Sequence, residues 1–209
     1  TGQPYQPQLV KRADFGRVLA EFWADGPASE TPPGHWNTIA NAVADNPATV
    51  KRIGGAGSVV NDLERDVKTY PALNGATHDA AIACWGAKRH YDSVRPISQI
   101  RYMGGLGQSS DAMGPSFNAN GVPLMQGLIE VITQASSVPG ERHAALGAFV
   151  GEVAVNVWPG APTDPTTQFS PSTWIRVKNW VPYQRDTFVT PAFASYFSGH
   201  STFSRAAAE

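Results

Sequence analysis

The alanine-rich stretch from 71 to 94 constrains the fold of this chain most strongly. Its small side chains let a helix lie close to its neighbours, as in the centre of a helical bundle; they are Ala76, Ala80, Ala81, Ala83 and Ala87. Elsewhere apolar residues recur at helical spacing, and no stretch shows the long alternation typical of a half-buried strand. We therefore predict an all-α helical bundle, with residues 1–209 forming a single domain.

The remaining helices are predicted from apolar spacing and from turn residues. The expected segments are Leu9–Trp23, a helix after the Thr31-Pro32-Pro33-Gly34 turn that ends at Asn46-Pro47, Pro123–Ala135, Pro139–Val157, Trp174–Trp180, and a last helix from Ser198 to Ala208. His143 falls on the first turn of one of these helices, where we expect it to be exposed. Residues 102–120, rich in Gly, Ser, Asn and Pro, are expected to form a long loop.

Charge and composition exclude several classes of partner. The formal net charge is −1, so nothing indicates binding to nucleic acid or to an anionic membrane surface. Cys84 is the single cysteine, and an intrachain disulfide cannot form. No run approaches the ~18 apolar residues of a membrane span, so we expect a soluble chain. The first residue is Thr1 rather than methionine, which we interpret as a mature or trimmed form. Localisation is unknown, and export stays open.

Two cations stand seven residues apart in the segment that ends at Pro96. If one helix carries both Lys88 and Arg95, nearly two turns separate them and they share a face. Pro96 disfavours continuation of that helix. Two cations on one face favour an anion. The simpler alternative is a surface pair of Lys88 with Asp92, worth only about 0.3–0.5 kcal/mol.

A second polar segment lies near the C-terminus. Ser198, Gly199 and His200 offer a hydroxyl, a glycine amide open to close approach and an imidazole. A helix starting here would direct free amides and the positive end of its dipole at an anion. Ser198 could instead serve only as an N-cap, and His200 could be an ordinary core histidine. Together the two segments predict an oxyanion pocket with an acid/base group beside it.

Lys88, six residues, Arg95-Pro96 and later Ser198-Gly199-His200 resemble the first two signature motifs of a known superfamily. That superfamily joins the type 2 phosphatidic acid phosphatases to the vanadium-dependent haloperoxidases. Further matches favour the haloperoxidase side: Trp85 and Phe193 occupy the places of pocket aromatics, and Phe22–Gly26 and Thr31–Pro33 resemble two other segments of those enzymes. Phe197 stands where the family usually has proline.

The resemblance implies vanadate as cofactor, with phosphate as its analogue. Lys88, Arg95, Ser198 and Gly199 would bind the oxyanion, and His200 would act as acid/base while hydrogen peroxide oxidises a halide. The pocket aromatics Trp85 and Phe193 would line the halide site, and Asp25 would orient an arginine of the third motif. Two alternatives stay open: a soluble acid phosphatase acting on phosphate esters with the same donors, and a non-catalytic oxyanion-binding helical domain.

The third motif of the superfamily, Ser-Arg followed by five residues and His, is not found in these 209 residues. Ser204-Arg205 lies only one turn after His200 and does not match it. The resemblance therefore implies a bundle that is incomplete at its C-terminus, with the vanadium-ligating histidine in a complementing downstream segment or second chain. No metal ligand is expected in this chain, and we expect the chain alone to be inactive. The sequence specifies neither the halide, the organic substrate nor a homo-oligomeric state.

Overall fold

The structure is a computed structural model that describes Leu9 and residues 29–164, 167–184 and 188–209. The chain divides into two compact units. We call Asp25–Val94 with Pro191–Glu209 the helical unit, and Thr1–Ala24 with Arg95–Thr190 the sheet unit. The predicted helix from Leu9 to Trp23 lies outside the described residues apart from Leu9 itself. The single domain over residues 1–209 stays a prediction.

In the part of the helical unit that the structure describes, three α-helices each begin at a polar cap. Helix α1 is Pro32–Asp45, α2 is Asp62–Tyr91 and α4 is Gly199–Ala208, and a 3₁₀ turn spans Ile53–Gly55. The side chains of Thr31, Asn61 and Ser198 accept hydrogen bonds from backbone amides of the first turns of α1, α2 and α4. Each cap satisfies an amide that has no partner inside its helix.

Helix α2 is longer than the predicted 71–94 segment at its start and shorter at its end. It begins at Asp62, runs through Pro71 and ends at Tyr91, where Asp92 takes a left-handed conformation with φ 40°. Proline inside a helix removes a hydrogen bond and costs about 3 kcal/mol. The Asn61 cap and the packing of α1 and α4 against α2 offset that cost.

The described residues of the sheet unit combine one α-helix with a small sheet. Helix α3 is Pro96–Leu106, and strands β1 (Ile129–Val131), β2 (Val153–Val157) and β3 (Thr173–Arg176) pair antiparallel in that order. Ile129 pairs with Val155, and Val155 pairs with Ile175 on its other side. Short 3₁₀ segments lie at Ala135–Ser137, Ala144–Phe149 and Val177–Asn179.

The core of the sheet unit forms where α3 approaches the sheet. Val122, Val153, Val155 and Val177 are its buried members. Helix α3 comes close to this core at Gly104, where an added Cβ atom would lie 2.4 Å from Val177 Cγ1. Glycine is thus required there by the close approach of the helix backbone to a core valine.

The all-α prediction is therefore wrong: helices supply most of the regular structure, but a three-stranded antiparallel sheet accompanies them. The expected helices Pro123–Ala135 and Pro139–Val157 are replaced by β1, 3₁₀ turns and β2. Residues 153–155 are consecutive and all buried, as in a central strand covered on both faces, so the strand shows no alternation. Trp174–Trp180 begins as β3 and ends as a 3₁₀ turn. The predicted helix that ends at Asn46-Pro47 is confirmed as α1, but it begins at Pro32, so Pro32-Pro33-Gly34 is its first turn and not a preceding turn. The predicted last helix is confirmed as α4.

His143 is also placed differently from the prediction, because it is fully buried. Its Nδ1 lies 2.9 Å from Ser136 Oγ, and its Nε2 lies 3.9 Å from Glu130 Oε2. The ring of Trp174 packs edge-on against the imidazole at 4.5 Å between centroids. Burial, followed by the charge of Arg142, lowers the pKa of His143, while the Glu130 carboxylate acts in the opposite direction.

Among the described helices, none combines the length and the apolar character that crossing a bilayer requires.

Candidate functional site: a buried lysine beside the N-terminus of a helix

Lys88 lies on the buried face of α2. The buried residues of that helix are Thr77, Ala80, Cys84 and Lys88. Their spacing of three and four residues places them on one side of the helix. Only 4% of Lys88 is exposed, so the predicted inward orientation is confirmed and the exposed pair with Asp92 is not what the structure shows.

The ammonium group of Lys88 donates to backbone carbonyls of the segment that precedes α4. Its Nζ lies 2.7 Å from the oxygen of Ala194 and 3.1 Å from the oxygen of Ser195. Hydrogen bonds with a charged donor are shorter and stronger than neutral ones. The end of α2 is thereby tied to the chain that leads into α4.

Two aromatic rings flank the same ammonium group. Lys88 Nζ is 5.7 Å from the ring centroid of Trp85 and 5.3 Å from that of Phe193. The two ring centroids are 5.2 Å apart with an interplanar angle of 54°. The pocket aromatics identified in the sequence are thus brought together with Lys88.

Residues 93–94 and 195–196 form a hydrogen-bonded clasp that sequence reasoning did not find. The backbone amide of Tyr196 donates to Ser93 Oγ at 2.8 Å, and Ser195 Oγ donates to the carbonyl of Val94 at 3.0 Å. The amide of Ser195 also donates to the carbonyl of Ser93 at 3.2 Å. These bonds fix the carbonyls that Lys88 contacts. In the sequence, only the two serines, Ser93 and Ser195, could have indicated these hydrogen bonds, and weakly. Backbone carbonyls occur in every residue and therefore leave no trace in a sequence.

Ser198 caps α4, as the sequence predicted. Its Oγ accepts from the amide of Ser201 at 3.2 Å, and its carbonyl accepts from Thr202 at 3.2 Å as the first intrahelical bond. The amides of Gly199 and His200 come before that bond, where a helix has no internal acceptors for them. Ser198 and His200 are exposed. The start of α4 therefore presents donors that suit an anion.

Gly199 brings the start of α4 onto the ring of Trp85. A Cβ atom at Gly199 would lie 3.1 Å from Trp85 Cη2 and 3.3 Å from Cζ3, which is tight contact. Phe203, one turn further along α4, is buried with its ring centroid 6.0 Å from that of Trp85. Trp85 thus contacts both the start of α4 and the ammonium group of Lys88.

Arg95 does not share a helix with Lys88, so the predicted common face is wrong. Helix α2 ends at Tyr91, and Arg95 is the N-cap of α3 with φ −72° and ψ 144°. Proline disfavours helical geometry in the residue before it and is well suited to the first position of a helix, so Pro96 starts a helix here rather than ending one. Burial lowers the pKa of the Arg95 guanidinium. Arg95 is the first residue of the second segment of the sheet unit. Asp25 lies outside the described residues.

The residue types in the helical unit fit a tetrahedral oxyanion such as vanadate or phosphate. Lys88 supplies an ammonium group, Ser198 keeps its O–H for donation while its oxygen caps α4, and the first amides of α4 add two N–H donors. These groups are hydrogen-bond donors, so they can bind the oxygen atoms of an anion but cannot coordinate a bare metal ion. Among the described residues, no group of three His, Cys, Asp or Glu could hold a metal.

The model of the VCPO second helical-bundle domain, from vanadium chloroperoxidase, matches residues 68–126 and 143–209. These two ranges cover more than half of the chain and include both motif segments. The stretch from 127 to 142, which holds β1, falls between them. No curated protein and no solved structure matches the chain.

Proposed function

The chain belongs to the family of VCPO second helical-bundle domains, and from that premise we propose that it forms the oxyanion-binding part of a vanadate-dependent haloperoxidase. In this proposal Lys88, Arg95, Ser198 and Gly199 bind vanadate, and His200 is the acid/base group. Bound vanadate would supply the activation of hydrogen peroxide that oxidises a halide.

One observation carries the proposal: a buried ammonium group and the capped start of a helix both contact Trp85. Lys88 reaches the ring at 5.7 Å, and Gly199 packs against its edge. A positive charge and a helix N-terminus attract the same kind of ligand. Because both groups contact Trp85, the simplest proposal is that they bind the same oxyanion.

The proposed roles follow from the chemistry of each group. The Lys88 ammonium would neutralise charge on the oxyanion, and the Ser198 hydroxyl and Gly199 amide would donate to its oxygens. The imidazole of His200 would hold or release a proton at the apical or peroxide oxygen. Because His200 is exposed, that proton could exchange with solvent. Trp85 and Phe193 would provide an apolar wall for a weakly hydrated halide.

We further propose that turnover needs a histidine ligand beyond these residues. None of the five histidines in the sequence follows a Ser-Arg pair at the spacing of the third motif. Hydrogen bonds from donors alone compete with water and give weak, reversible binding. The 209 residues should therefore bind vanadate or phosphate without turning over, until a segment or second chain carrying the third motif is added.

Vanadate titration of the purified chain, followed by tryptophan fluorescence, tests the proposal. Lys88→Met should weaken vanadate binding by about 10-fold or more, because a charge-assisted hydrogen bond contributes roughly 1.5–3 kcal/mol. Lys68→Met is the matched control, since Lys68 is on the same helix but pairs with Glu64 at the surface. Equal affinities for the wild-type chain and Lys88→Met would refute the oxyanion site.

Activity assays separate the two enzyme classes. With the third motif supplied, vanadate-dependent bromination of a phenolic dye is expected. Hydrolysis of p-nitrophenyl phosphate that disappears in Lys88→Met would instead identify an acid phosphatase. Vanadate binding with neither activity, even after the motif is supplied, would leave the non-catalytic oxyanion-binding domain.

A further inference from the structure

The charge of Lys88 is buried, and a buried charge is stable only when its surroundings replace water. Only 4% of the residue is exposed. Transfer of an ammonium group out of water is costly unless the group is hydrogen-bonded or paired. The carbonyls of Ala194 and Ser195 accept two hydrogen bonds from Nζ.

Hydrogen bonds within the chain itself hold the backbone segment that carries those two carbonyls. The clasp of Ser93 and Val94 with Ser195 and Tyr196 engages the amide that follows each of the two carbonyls. A preorganised acceptor does not have to be ordered when the ammonium group arrives. The acceptors of the lysine therefore belong to a hydrogen-bonded backbone segment.

The aromatic rings add a second kind of contact to the same group. Both ring centroids lie within the ~6 Å over which a cation is attracted to the negative face of an aromatic ring. The two rings stand 5.2 Å apart and are tilted by 54°, so they approach Nζ from two directions. This attraction is stronger where water is excluded.

We infer that Trp85 and Phe193 are positioning residues for Lys88, and that together with the carbonyls of Ala194 and Ser195 they form a cage around its ammonium group. Because Gly199 at the start of α4 also contacts Trp85, the cage holds the charge of Lys88 near the start of that helix. Its consequence for ligand binding rests on the proposed function; its existence does not. The two rings thus act before a halide is present, which is a different role from lining a halide pocket.

A double-mutant cycle on the full chain tests the cage without any ligand. Urea unfolding is measured for the wild-type chain, Phe193→Leu, Lys88→Met and the double variant. Phe193→Leu should lower the folding equilibrium constant about two- to five-fold more when Lys88 is present than in the Lys88→Met background. Tyr196→Leu is the matched control, because Tyr196 lies on the same segment but packs edge-on against Tyr91. Its effect should be the same in both backgrounds.

A second measurement keeps the test decisive if Lys88→Met does not fold. Fluorinated phenylalanines placed at position 193 keep the shape of the ring and progressively remove the negative charge of its face. Stability should fall stepwise with the number of fluorines. A flat series, or equal effects of Phe193→Leu in both backgrounds, would overturn the cage.

Vanadate titration in halide-free buffer then connects the cage with the oxyanion site. Phe193→Leu should weaken vanadate binding several-fold, because Lys88 is no longer held in position. An unchanged vanadate affinity for a variant that folds normally would overturn the positioning role. If the stability coupling is found but the wild-type chain binds no vanadate, the cage is supported and the proposed function fails. The two failures are thus distinguishable.

Discussion

Replacing Gly104 by alanine should destabilise the sheet unit, because the new methyl group has no space. The added Cβ would lie 2.4 Å from Val177 Cγ1, 2.5 Å from Val177 Cβ and 3.1 Å from the amide nitrogen of Lys178. Carbon atoms normally approach to about 3.5–4.0 Å, so the overlap is more than about 1 Å. Val177 is itself buried in the core and cannot rotate away freely.

The expected size combines two opposing effects. Overpacking in a core costs about 1–3 kcal/mol, while alanine in a helix is about 0.8–1 kcal/mol better than glycine. With an overlap this large, we expect Gly104→Ala to lower the free energy of unfolding by about 1–2 kcal/mol. Gly105→Ala is the matched control, since no atom lies within 4 Å of its added Cβ, and it should raise that free energy by up to about 1 kcal/mol.

Urea unfolding followed by tryptophan fluorescence, to which buried Trp158 of the sheet unit contributes, gives both values. The two neighbouring substitutions should move the midpoint in opposite directions. If Gly104→Ala and Gly105→Ala both stabilise the protein, the close approach of α3 to Val177 is not present in solution, and the packing of the sheet unit described above is wrong.

Three further predictions follow. Ser198→Ala should lower the free energy of unfolding by about 1 kcal/mol in a chemical denaturation experiment, because α4 loses its N-cap, and Ser198→Asn should restore most of it. His200→Ala should abolish most bromination by a complex that contains the third motif while leaving circular dichroism unchanged; full activity would contradict its acid/base role. Stability should fall as the pH drops through the unfolded value of about 6.5, because burial lowers the folded pKa of His143 and the unfolded chain therefore takes up the proton first. His143→Asn should lack this change in urea midpoint, and exposed His35→Asn should keep it.

The sequence predicted the helical unit well because its signals are local. Asn46-Pro47 ends α1, Ser198 caps α4, and the alanines mark the central part of α2. Each depends on residues a few positions apart. The start of α2 at Asp62 was missed, because the alanine-rich composition marks only the part of the helix after Pro71. Packing of neighbouring helices against α2 outweighs the local cost of that proline.

The sheet could not be predicted in the same way, since its determinants are not local. β2 is buried on both faces, so Val153, Ala154 and Val155 show the continuous apolar run that also occurs in a buried helix. Gly127 and Gly151, both with positive φ, are where the backbone departs from helical geometry. Partner strands from distant parts of the chain decided between the two structures.

The candidate site was only partly predictable: its side chains could be recognised in the sequence, whereas its backbone groups could not. Lys88, Trp85 and Phe193 are side chains, so their types could be compared with known motifs. The acceptors of Lys88 are backbone carbonyls, which every residue carries and no sequence pattern distinguishes. Which carbonyls Lys88 contacts depends on where α2 ends and on how the clasp with Ser93 positions the segment that contains Ala194 and Ser195.

The ends of helices explain why the proposed ligands of the oxyanion come from residues so different in type. Lys88 lies in the last turn of α2, Arg95 is the N-cap of α3, and Ser198 is the N-cap of α4. Helix ends are where backbone groups lack internal partners and where the chain changes direction. A side chain placed there can bind a ligand without interrupting a helix, and neighbouring amides or carbonyls can direct it. The Pro96 that excludes one continuous helix is therefore consistent with the proposed function: it places Arg95 at a new helix start, where its backbone is extended.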